Sequence, residues 1–511
     1  MTTSNARLRR MASAVAPVIA LDRGTDKPLH RQIYEGFRKA ILERRLRPLQ
    51  QIPSTRALAS DLGISRIPIL EAYSQLLAEG FLESRVGAGT FISSQLAAQL
   101  GAAQSVTSGA QRAGVESIRP VSRTSRALRI KLEPWAYGQG AFAIGQVAID
   151  QFPTDTWVRL VARHSRNVSG ESLHFSDPRG SPDLRAAITD YLRTARGVNC
   201  DADQVIVVGG SQEALDISAR VLLDPESSVW LEEPGYNLAR HALALSGCNL
   251  VAVPVDREGL NVATGIKLCP TARAAYVTPS HQFPLGVTMS AARRIQLLNW
   301  AQTSGAWIIE DDYDSEYRYG GTPIASLQGL DANARVIYIG TFSKILFPSL
   351  RVGYLVVPKD LIDRFVAMRV AMSIYPPYLT QAVLTDFINQ GHFSRHIRRT
   401  RLLYGERRAR LAECLEREFG AELSVLEGES GMNLVVTLPE HARDVELSRR
   451  AAARGLWLWP LSPYYLGQPH KGFVLGFGNV QVSDMPAAVR RMSQVLRGTL
   501  GIRAAESSLT E

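Results

Sequence analysis

The chain has 511 residues, 45% of them hydrophobic and 21% charged, so it is long enough for at least two domains and has an ordinary soluble, globular composition. No apolar run approaches the roughly 20 residues that cross a bilayer, so we expect no membrane segment. The four cysteines are widely spaced and form no CxxC pair, which predicts a cytoplasmic protein with buried thiols and no metal site.

The positive charge is concentrated at the amino-terminal end. Residues 1–133 contain 20 Lys and Arg against 10 Asp and Glu, which accounts for the whole net charge of +10 and leaves residues 134–511 neutral. A basic segment attracts polyanions such as nucleic acids, although many basic segments are simply solvated. Charge alone therefore leaves both interpretations open.

Three segments lack the pattern of a folded domain. Residues 1–22 combine several arginines with a stretch too weakly apolar for a signal peptide, so we expect a disordered basic arm. Residues 94–130 are rich in Ala, Ser, Gln and Gly with little periodicity, which predicts a flexible linker. Residues 504–511 are expected to be a tail.

Residues 23–93 are predicted to fold as a winged helix-turn-helix. A first helix with apolar residues at helical spacing is followed by a second, for which Ser54 is a candidate N-cap. The tight turn at residues 63–65 leads into a third helix. Two short strands, at residues 80–84 and 89–92, would then form the wing.

Residues 131–503 alternate short apolar strands with helical stretches, a pattern that predicts a mostly parallel α/β sheet. The predicted strands that precede polar clusters cover residues 205–208, 274–277, 306–309 and 336–339. Ligands of such sheets gather at the carboxyl ends of the strands. The polar clusters are therefore candidates for one binding site.

The polar clusters include the groups that a pyridoxal phosphate (PLP) site requires. Lys344 would hold the cofactor as an internal aldimine. Asp311 would keep the pyridine nitrogen protonated, and Tyr313, two residues on, could bond the phenolic oxygen of the ring. Tyr236 is a candidate to stack on the ring, and His281 is a further candidate contact.

The phosphate group would be bound by backbone N–H groups of a strand-to-helix turn together with hydroxyl and guanidinium groups. These candidate phosphate ligands are Ser211, Gln212, Thr341, Ser343 and Arg351. Each feature alone has an ordinary alternative, because a lone lysine after a strand is usually solvated and an acidic cluster usually lies in a loop. Their joint occurrence, in this order and each after a strand, favours the cofactor site.

Several motifs resemble known families. They are Pro53-Ser54-Thr55-Arg56-Ala57-Leu58-Ala59, Leu77-Ala78-Glu79-Gly80-Phe81, Phe175-Ser176-Asp177-Pro178-Arg179-Gly180, Glu310-Asp311-Asp312-Tyr313-Asp314-Ser315-Glu316 and Gly340-Thr341-Phe342-Ser343-Lys344. The first two resemble GntR-type winged helices, and residues 134–500 resemble fold-type I PLP enzymes of the aminotransferase class. The fusion of the two resembles the MocR/GabR regulators.

The resemblance implies a multidomain protein with an N-terminal winged helix-turn-helix and a C-terminal α/β, fold-type I, PLP-dependent aminotransferase-like domain. It implies a PLP-binding transcription factor that binds a double-stranded DNA operator as a head-to-tail homodimer. In that family the aminotransferase-like domain senses a small-molecule effector and reports to the DNA-binding domain.

The resemblance also assigns residues 65–79 to the DNA major groove and the wing to the DNA backbone or minor groove. The candidate DNA-contacting residues are Arg56, Ser65, Arg66, Ile67, Gly89 and Thr90. After Arg66 the chain departs from the family, because Ile67-Pro68-Ile69 stands where polar residues are usual. Ile67 could pack on a thymine methyl group and select a different operator, or it could pack inward.

Val474 bears on the identity of the effector. Aminotransferases that bind amino-acid carboxylates usually carry arginine three residues before an aromatic residue of a C-terminal strand, and Val474 holds that position before Phe477. Classical transamination of α-amino acids is therefore disfavoured. The effector could be an amine or amino acid held by another arginine, such as Arg240 or Arg179, or it could be PLP itself, captured by Lys344.

The leading interpretation is a transcriptional regulator, not an enzyme, whose DNA affinity changes because the ligand prefers one conformation of the protein. The alternative is a catalytically active PLP-dependent aminotransferase with an accessory DNA-binding domain. A regulator with a vestigial cofactor site is disfavoured, because Lys344, Asp311, Tyr313 and Arg351 are all present.

Overall fold

The chain divides into two compact units, Met1–Pro120 and Val121–Glu511. The computed structural model describes residues 21–96, 120–128, 130, 133–170, 173–174, 176–320, 324–426, 428 and 430–500. The predicted basic arm and tail lie outside these residues apart from positions 21 and 22, and so do residues 97–119 of the predicted linker. The predicted domain boundaries stay predictions.

The first unit contains three helices and a β-hairpin. They are α1 (Leu29–Leu42), α2 (Thr55–Leu62), α3 (Ile67–Ala78), β1 (Leu82–Arg85) and β2 (Gly89–Ile92). The two strands pair antiparallel, with Leu82 opposite Ile92. Buried side chains from all three helices, including Phe37, Leu58 and Leu76, pack into one core with the hairpin. This arrangement confirms the winged helix-turn-helix.

The turn between α2 and α3 follows from its residues. Ser54 caps α2, because its Oγ accepts a hydrogen bond from the backbone N–H of Ala57 at 3.2 Å. Gly63 ends α2 with φ of 62°, a left-handed conformation that glycine adopts without steric cost. The N-cap of α3 is Arg66, and Pro68 occupies the first turn, where no intrahelical hydrogen bond is lost.

The second unit contains the remaining helices and strands. Its helices are α4 (Arg123–Ala127), α5 (Thr154–Arg166), α6 (Pro182–Arg196), α7 (Ser211–Leu222), α8 (Asn237–Leu245), α9 (Val262–Leu268), α10 (Ala291–Ser304), α11 (Leu327–Leu330), α12 (Ile362–Ser373), α13 (Tyr378–Asn389), α14 (His392–Phe419), α15 (Asp444–Ala452) and α16 (Met485–Leu500). Helix α4 falls within the predicted linker. Ser122 caps it by accepting a hydrogen bond from Ser125 N, so a local cap forms a helical turn that the composition did not indicate.

The second unit is built on two sheets. Their strands are β3 (Val205–Val208), β4 (Ser228–Glu233), β5 (Asn249–Asp256), β6 (Gly259–Leu260), β7 (Ala274–Val277), β8 (Trp307–Asp312), β9 (Val336–Thr341), β10 (Gly353–Val356), β11 (Ser424–Leu426), β12 (Asn433–Thr437), β13 (Trp459–Pro460) and β14 (Gly472–Gly476). The large sheet has the order β3-β10-β9-β8-β7-β4-β5-β6. Strands β9, β8, β7, β4 and β5 run parallel, which confirms the mostly parallel α/β sheet.

Strand β8 is longer than the apolar run predicts, because it continues through Glu310, Asp311 and Asp312. These carboxylates stay in the strand because buried partners meet them. Glu310 accepts hydrogen bonds from the backbone N–H groups of Leu327 and Gln328, both at 2.8 Å. The expectation that the acidic cluster follows the strand is therefore wrong for these three residues.

The second sheet, in the order β11-β12-β14-β13, is antiparallel throughout. It packs with α14, α15 and α16 around a core that includes Leu411, Val436, Phe473 and Met492. In the part of the chain that the structure describes, no helix is both long and apolar enough to cross a bilayer.

Candidate cofactor site

One edge of the large sheet collects the predicted site residues. Strands β8 and β9 are parallel, with Asp312 opposite Gly340, so both end at this edge. Strand β10 runs antiparallel to β9 and β3, and its first residue, Gly353, lies opposite Thr341 and Val208. The start of β10 therefore meets the ends of β3, β8 and β9.

Lys344 lies against a glycine. Its Nζ is 2.6 Å from the position that a Cβ on Gly145 would occupy, so a larger residue there would displace the Lys344 amine. Burial lowers the pKa of Lys344, and the nearby carboxylates of Asp314 and Asp311 oppose that shift. The buried environment favours the neutral amine, which is the form that attacks a carbonyl carbon.

Asp311 is buried and only half satisfied. Its Oδ2 accepts a hydrogen bond from the hydroxyl of Tyr276 at 2.8 Å, whereas its Oδ1 has no hydrogen-bond partner among the described residues. Burial raises the pKa of Asp311 to about 7, and the hydrogen bond from Tyr276 acts in the opposite direction. Because buried polar atoms are nearly always paired, Oδ1 fits a protonated pyridine nitrogen.

Tyr313 and His281 lie together with a second carboxylate. The hydroxyl of Tyr313 is 2.8 Å from Nδ1 of His281, and that nitrogen is 3.0 and 3.1 Å from the two carboxylate oxygens of Asp314. Burial raises the pKa of Tyr313, so its hydroxyl keeps its proton. His281 is packed against Gly431, where any side chain would collide with the imidazole ring.

Three of the predicted phosphate ligands, Ser211, Gln212 and Arg351, meet at the first turn of α7. Gly210 precedes this helix with φ of 115°, and a Cβ there would lie 3.3 Å from the guanidinium of Arg351. The helix N-terminus and the guanidinium together favour an anion. The Oγ of Ser343 is buried without a hydrogen-bond partner among the described residues, as a phosphate ligand would be.

Two of the remaining phosphate candidates, Thr341 and Gln212, differ in what they offer. Thr341 Oγ1 accepts a hydrogen bond from the backbone N–H of Ser343 at 3.2 Å, which shapes the turn. The side chain of Gln212 donates from Nε2 to the carbonyl oxygen of Leu238 at 3.1 Å. Because its Nε2 is already bonded to Leu238, Gln212 is more available to bind a phosphate through its backbone N–H.

Tyr236 precedes α8 and lies at the boundary of the site. Its ring makes an edge-to-face contact with Phe283, with ring centroids 5.6 Å apart. Tyr236 and Tyr313 both pack against a buried cluster that includes Phe283 and Val474. The structure thus brings the candidate stacking residue and the candidate phenolic-oxygen partner to the same cluster.

The residue patterns did not indicate several other members of the site. Tyr276 lies inside an apolar strand, and Gly145 lies in a segment without a motif, so neither gives a local signal. Asp314 belongs to the acidic motif and could have been named from it. Glu213, on the first turn of α7, accepts a hydrogen bond from the backbone N–H of Gly209 at 2.5 Å.

The two arginines considered as effector ligands already have partners. Arg179 bonds to Asp177 through three donors and to Asp203 at 3.2 Å. Arg240 donates to the carbonyl oxygen of Tyr464 and lies 3.7 Å from Glu233 Oε2. Both guanidinium groups are therefore engaged by protein partners in this arrangement, although Nε of Arg240 has no hydrogen-bond partner among the described residues.

The first unit exposes most of its candidate DNA contacts. Arg56, Ser65 and Arg66 are exposed at the starts of α2 and α3, and Gly89 is exposed in the wing, where Thr90 is half-buried. Ile67 is 66% exposed, so the interpretation in which it packs inward is wrong. The physical reason is its place at the first position of α3, two residues before the buried stripe that begins with Ile69.

Each of the two units matches a known protein family. A family model described as aminotransferase class I and II matches residues 141–489, and one described as bacterial regulatory proteins, gntR family, matches residues 29–92. The probable rhizopine catabolism regulatory protein MocR of Rhizobium meliloti is 41% identical over 479 residues, which cover 93% of this chain and 95% of that protein. The chain belongs to the MocR-type regulators.

Other relatives agree with that assignment. The pyridoxine biosynthesis transcriptional regulator PdxR of Corynebacterium glutamicum is 30% identical across 90% of this chain and 94% of its own length. Among solved structures, a kynurenine aminotransferase of Pyrococcus horikoshii is 27% identical, with a TM-score of 0.69, and covers 75% of this chain and 98% of its own. This MocR-type regulator therefore combines a GntR-type winged helix with a fold-type I aminotransferase domain, and its cofactor is PLP.

Proposed function

We propose that this MocR-type regulator uses its aminotransferase-like domain as a sensor, and that ligand occupancy at Lys344 changes its affinity for a double-stranded DNA operator. The observation that carries the proposal is the buried Oδ1 of Asp311, which has no hydrogen-bond partner among the described residues, beside a partly buried Lys344. The same chain exposes Ile67 and Arg66 at the start of its predicted recognition helix. Asp311 and Lys344 would bind the ligand, and the exposed helix would bind DNA.

The chain supplies defined groups for the cofactor. When bound, PLP supplies an aldehyde carbon that reacts reversibly with amines. Lys344 provides the amine nucleophile, and burial lowers its pKa, which favours the neutral form. Asp311 provides the carboxylate for the pyridine nitrogen, and Arg351 with the first turn of α7 binds the phosphate.

The effector is either PLP itself or an amine that competes with Lys344. Either ligand alters DNA binding only by favouring one conformation of the protein over another. We further propose that the regulator acts as a head-to-tail homodimer and that transamination is at most a residual activity. The alternative function is a catalytically active aminotransferase, and the similarity to aminotransferase structures supports it. Sustained turnover of an amino donor and a keto acid would favour this alternative.

Lys344→Ala tests the proposal directly. In the full-length protein, PLP titration should produce a visible absorption band that the substitution abolishes, because no amine remains to bond the cofactor. The operator affinity, measured by fluorescence anisotropy on the protein's own upstream DNA, should then no longer respond to PLP or to added amines.

Lys359→Ala is the matched control. Lys359 is an exposed lysine paired with Asp201 outside the site, so this variant should keep both the band and the DNA response. An unchanged spectrum in Lys344→Ala would refute the cofactor assignment. A DNA response that survives in Lys344→Ala would refute sensing at this site.

A further inference from the structure

One side of the cofactor site is an apolar wall. The buried residues of this apolar wall are Phe283, Val435, Leu461, Tyr464 and Val474. Ile144, Tyr236 and Tyr313 pack against it. Because Ile144 directly precedes Gly145, which faces Nζ of Lys344, the apolar wall borders the space next to the reactive amine.

The apolar wall contains no cation. Val474 is fully buried on β14, opposite Val435 and Trp459, so apolar neighbours surround the position where a carboxylate-binding arginine would stand. Arg240 donates to the carbonyl oxygen of Tyr464 and lies 3.7 Å from Glu233 Oε2. A ligand carboxylate placed against the wall would lose its hydration without gaining a counter-charge.

The charges around Lys344 also disfavour a ligand carboxylate. Asp311 and Asp314 are both buried, and both interact electrostatically with Lys344. With Asp311 paired to the pyridine nitrogen of the cofactor, the buried Asp314 still makes the space beside Lys344 more favourable to a cationic or neutral amine than to a further anion. The guanidinium of Arg351 is taken up at the turn before α7, on the phosphate side.

We propose that the effector of this site is a primary amine without a carboxylate on the carbon that bears the nitrogen, and that its apolar substituent packs on the apolar wall. This inference rests on the proposed function. The amine would replace Lys344 by exchange: one carbon–nitrogen double bond breaks and another forms, both protons of the incoming amine pass to Lys344 Nζ, and no oxidant or reductant is required.

Matched ligand pairs test the inference in the PLP-loaded, full-length protein. Phenethylamine and L-phenylalanine differ only in the carboxylate, as do isobutylamine and L-valine. Each amine should shift the visible absorption band at a concentration at least tenfold lower than its amino acid. The operator affinity, measured in the same samples, should change at the same amine concentrations.

Two substitutions at one position extend the test. Val474→Arg should narrow or reverse the preference for the amine, because it introduces a carboxylate partner into the apolar wall. Val474→Leu, which keeps the wall apolar, should retain the preference. If Val474→Arg fails to bind PLP or to fold, the ligand pairs in the unaltered protein and in Val474→Leu still decide the question.

The two proposals fail in different ways. Equal or tighter binding of the amino acids, or a band that neither amine shifts, would overturn the inference while the Lys344-dependent band remains. Absence of that band in the unaltered protein, or a DNA affinity that no ligand changes, would overturn the proposed function instead.

Discussion

The Asp311 carboxylate is buried, but it has too few hydrogen-bond donors to stabilise its charge. The sheet buries its carboxylate to 4% exposure, which disfavours the charge, and only Tyr276 among the described residues donates a hydrogen bond to it. A cationic pyridine nitrogen would resolve the conflict, because it pairs with Oδ1. The residue is thus poorly suited to the cofactor-free protein and well suited to the loaded one.

This conflict predicts a pH dependence of stability. Burial raises the pKa of Asp311 to about 7 from 3.8, so between these values the folded, cofactor-free protein binds more protons than the unfolded chain. The free energy of unfolding contributed by this group therefore falls as pH rises from about 4 to about 7. Asp311→Asn should make the decline of the urea midpoint between pH 4.5 and 8 shallower.

Asp360→Asn serves as the control, because Asp360 is exposed and this variant should keep the slope of the unaltered protein. Equal slopes in Asp311→Asn and the unaltered protein would show that Asp311 does not carry a raised pKa. Adding PLP should reduce the difference between the two proteins, because the cofactor pairs with the carboxylate.

At the scale of elements, helix α7 is fixed to its surroundings through Glu213. One carboxylate oxygen of Glu213 accepts from the backbone N–H of Gly209, and the other accepts from Ser373 and Arg369 at the end of α12. The turn that carries the phosphate candidates is therefore tied to a distant helix. Sequence spacing alone does not indicate this link, because Glu213 and Arg369 are 156 residues apart in the chain.

Helix α3 carries the prediction for DNA recognition. Arg66 precedes this helix and is exposed, and its Nε donates to Thr55 Oγ1 at 2.8 Å, so the side chain lies at the junction of α2 and α3. Arg66→Ala should weaken operator binding by roughly 1–3 kcal/mol if the guanidinium contacts a base. Fluorescence anisotropy with operator DNA measures the loss.

Arg31→Ala provides the comparison, because Arg31 is an exposed arginine of α1 that pairs with Glu35. It should leave operator affinity within a fewfold of the unaltered protein at the same salt concentration. Thermal unfolding of both variants should be similar to that of the unaltered protein. Undiminished affinity in Arg66→Ala would place Arg66 outside the DNA interface.

At the scale of the whole molecule, the candidate DNA contacts and the candidate cofactor ligands lie in different compact units. All candidate cofactor ligands belong to the second unit, and all candidate DNA contacts belong to the first. Each unit has buried clusters of its own, so each can unfold with its own transition.

PLP should therefore stabilise one unit selectively. With free PLP at about 100 times its Kd, the unfolding free energy of the second unit should rise by about 2.7 kcal/mol, since the folded form alone binds the ligand. Differential scanning calorimetry should show this rise in the larger transition only. A matching rise in the smaller transition would mean that the two units unfold together.

The sequence allowed much of this to be predicted because several signals are local. Ser54 and Gly63 mark helix ends through their own side chain or backbone freedom, and the four apolar runs before the polar clusters became strands. The length of β8 could not be predicted in this way, because burying Glu310 and Asp312 depends on partners far along the chain, such as Arg196.

The sequence by itself determined the two kinds of domain and the cofactor, because both depend on residue type and order, and it predicts Lys344, Asp311 and Arg351 as ligands of that cofactor. Only the tertiary structure decided that Arg240 and Arg179 are engaged elsewhere, that Ile67 is exposed and that Val474 belongs to an apolar wall. These facts depend on which groups long-range packing brings together, and burial and pairing, rather than residue type, decide what a side chain is free to bind.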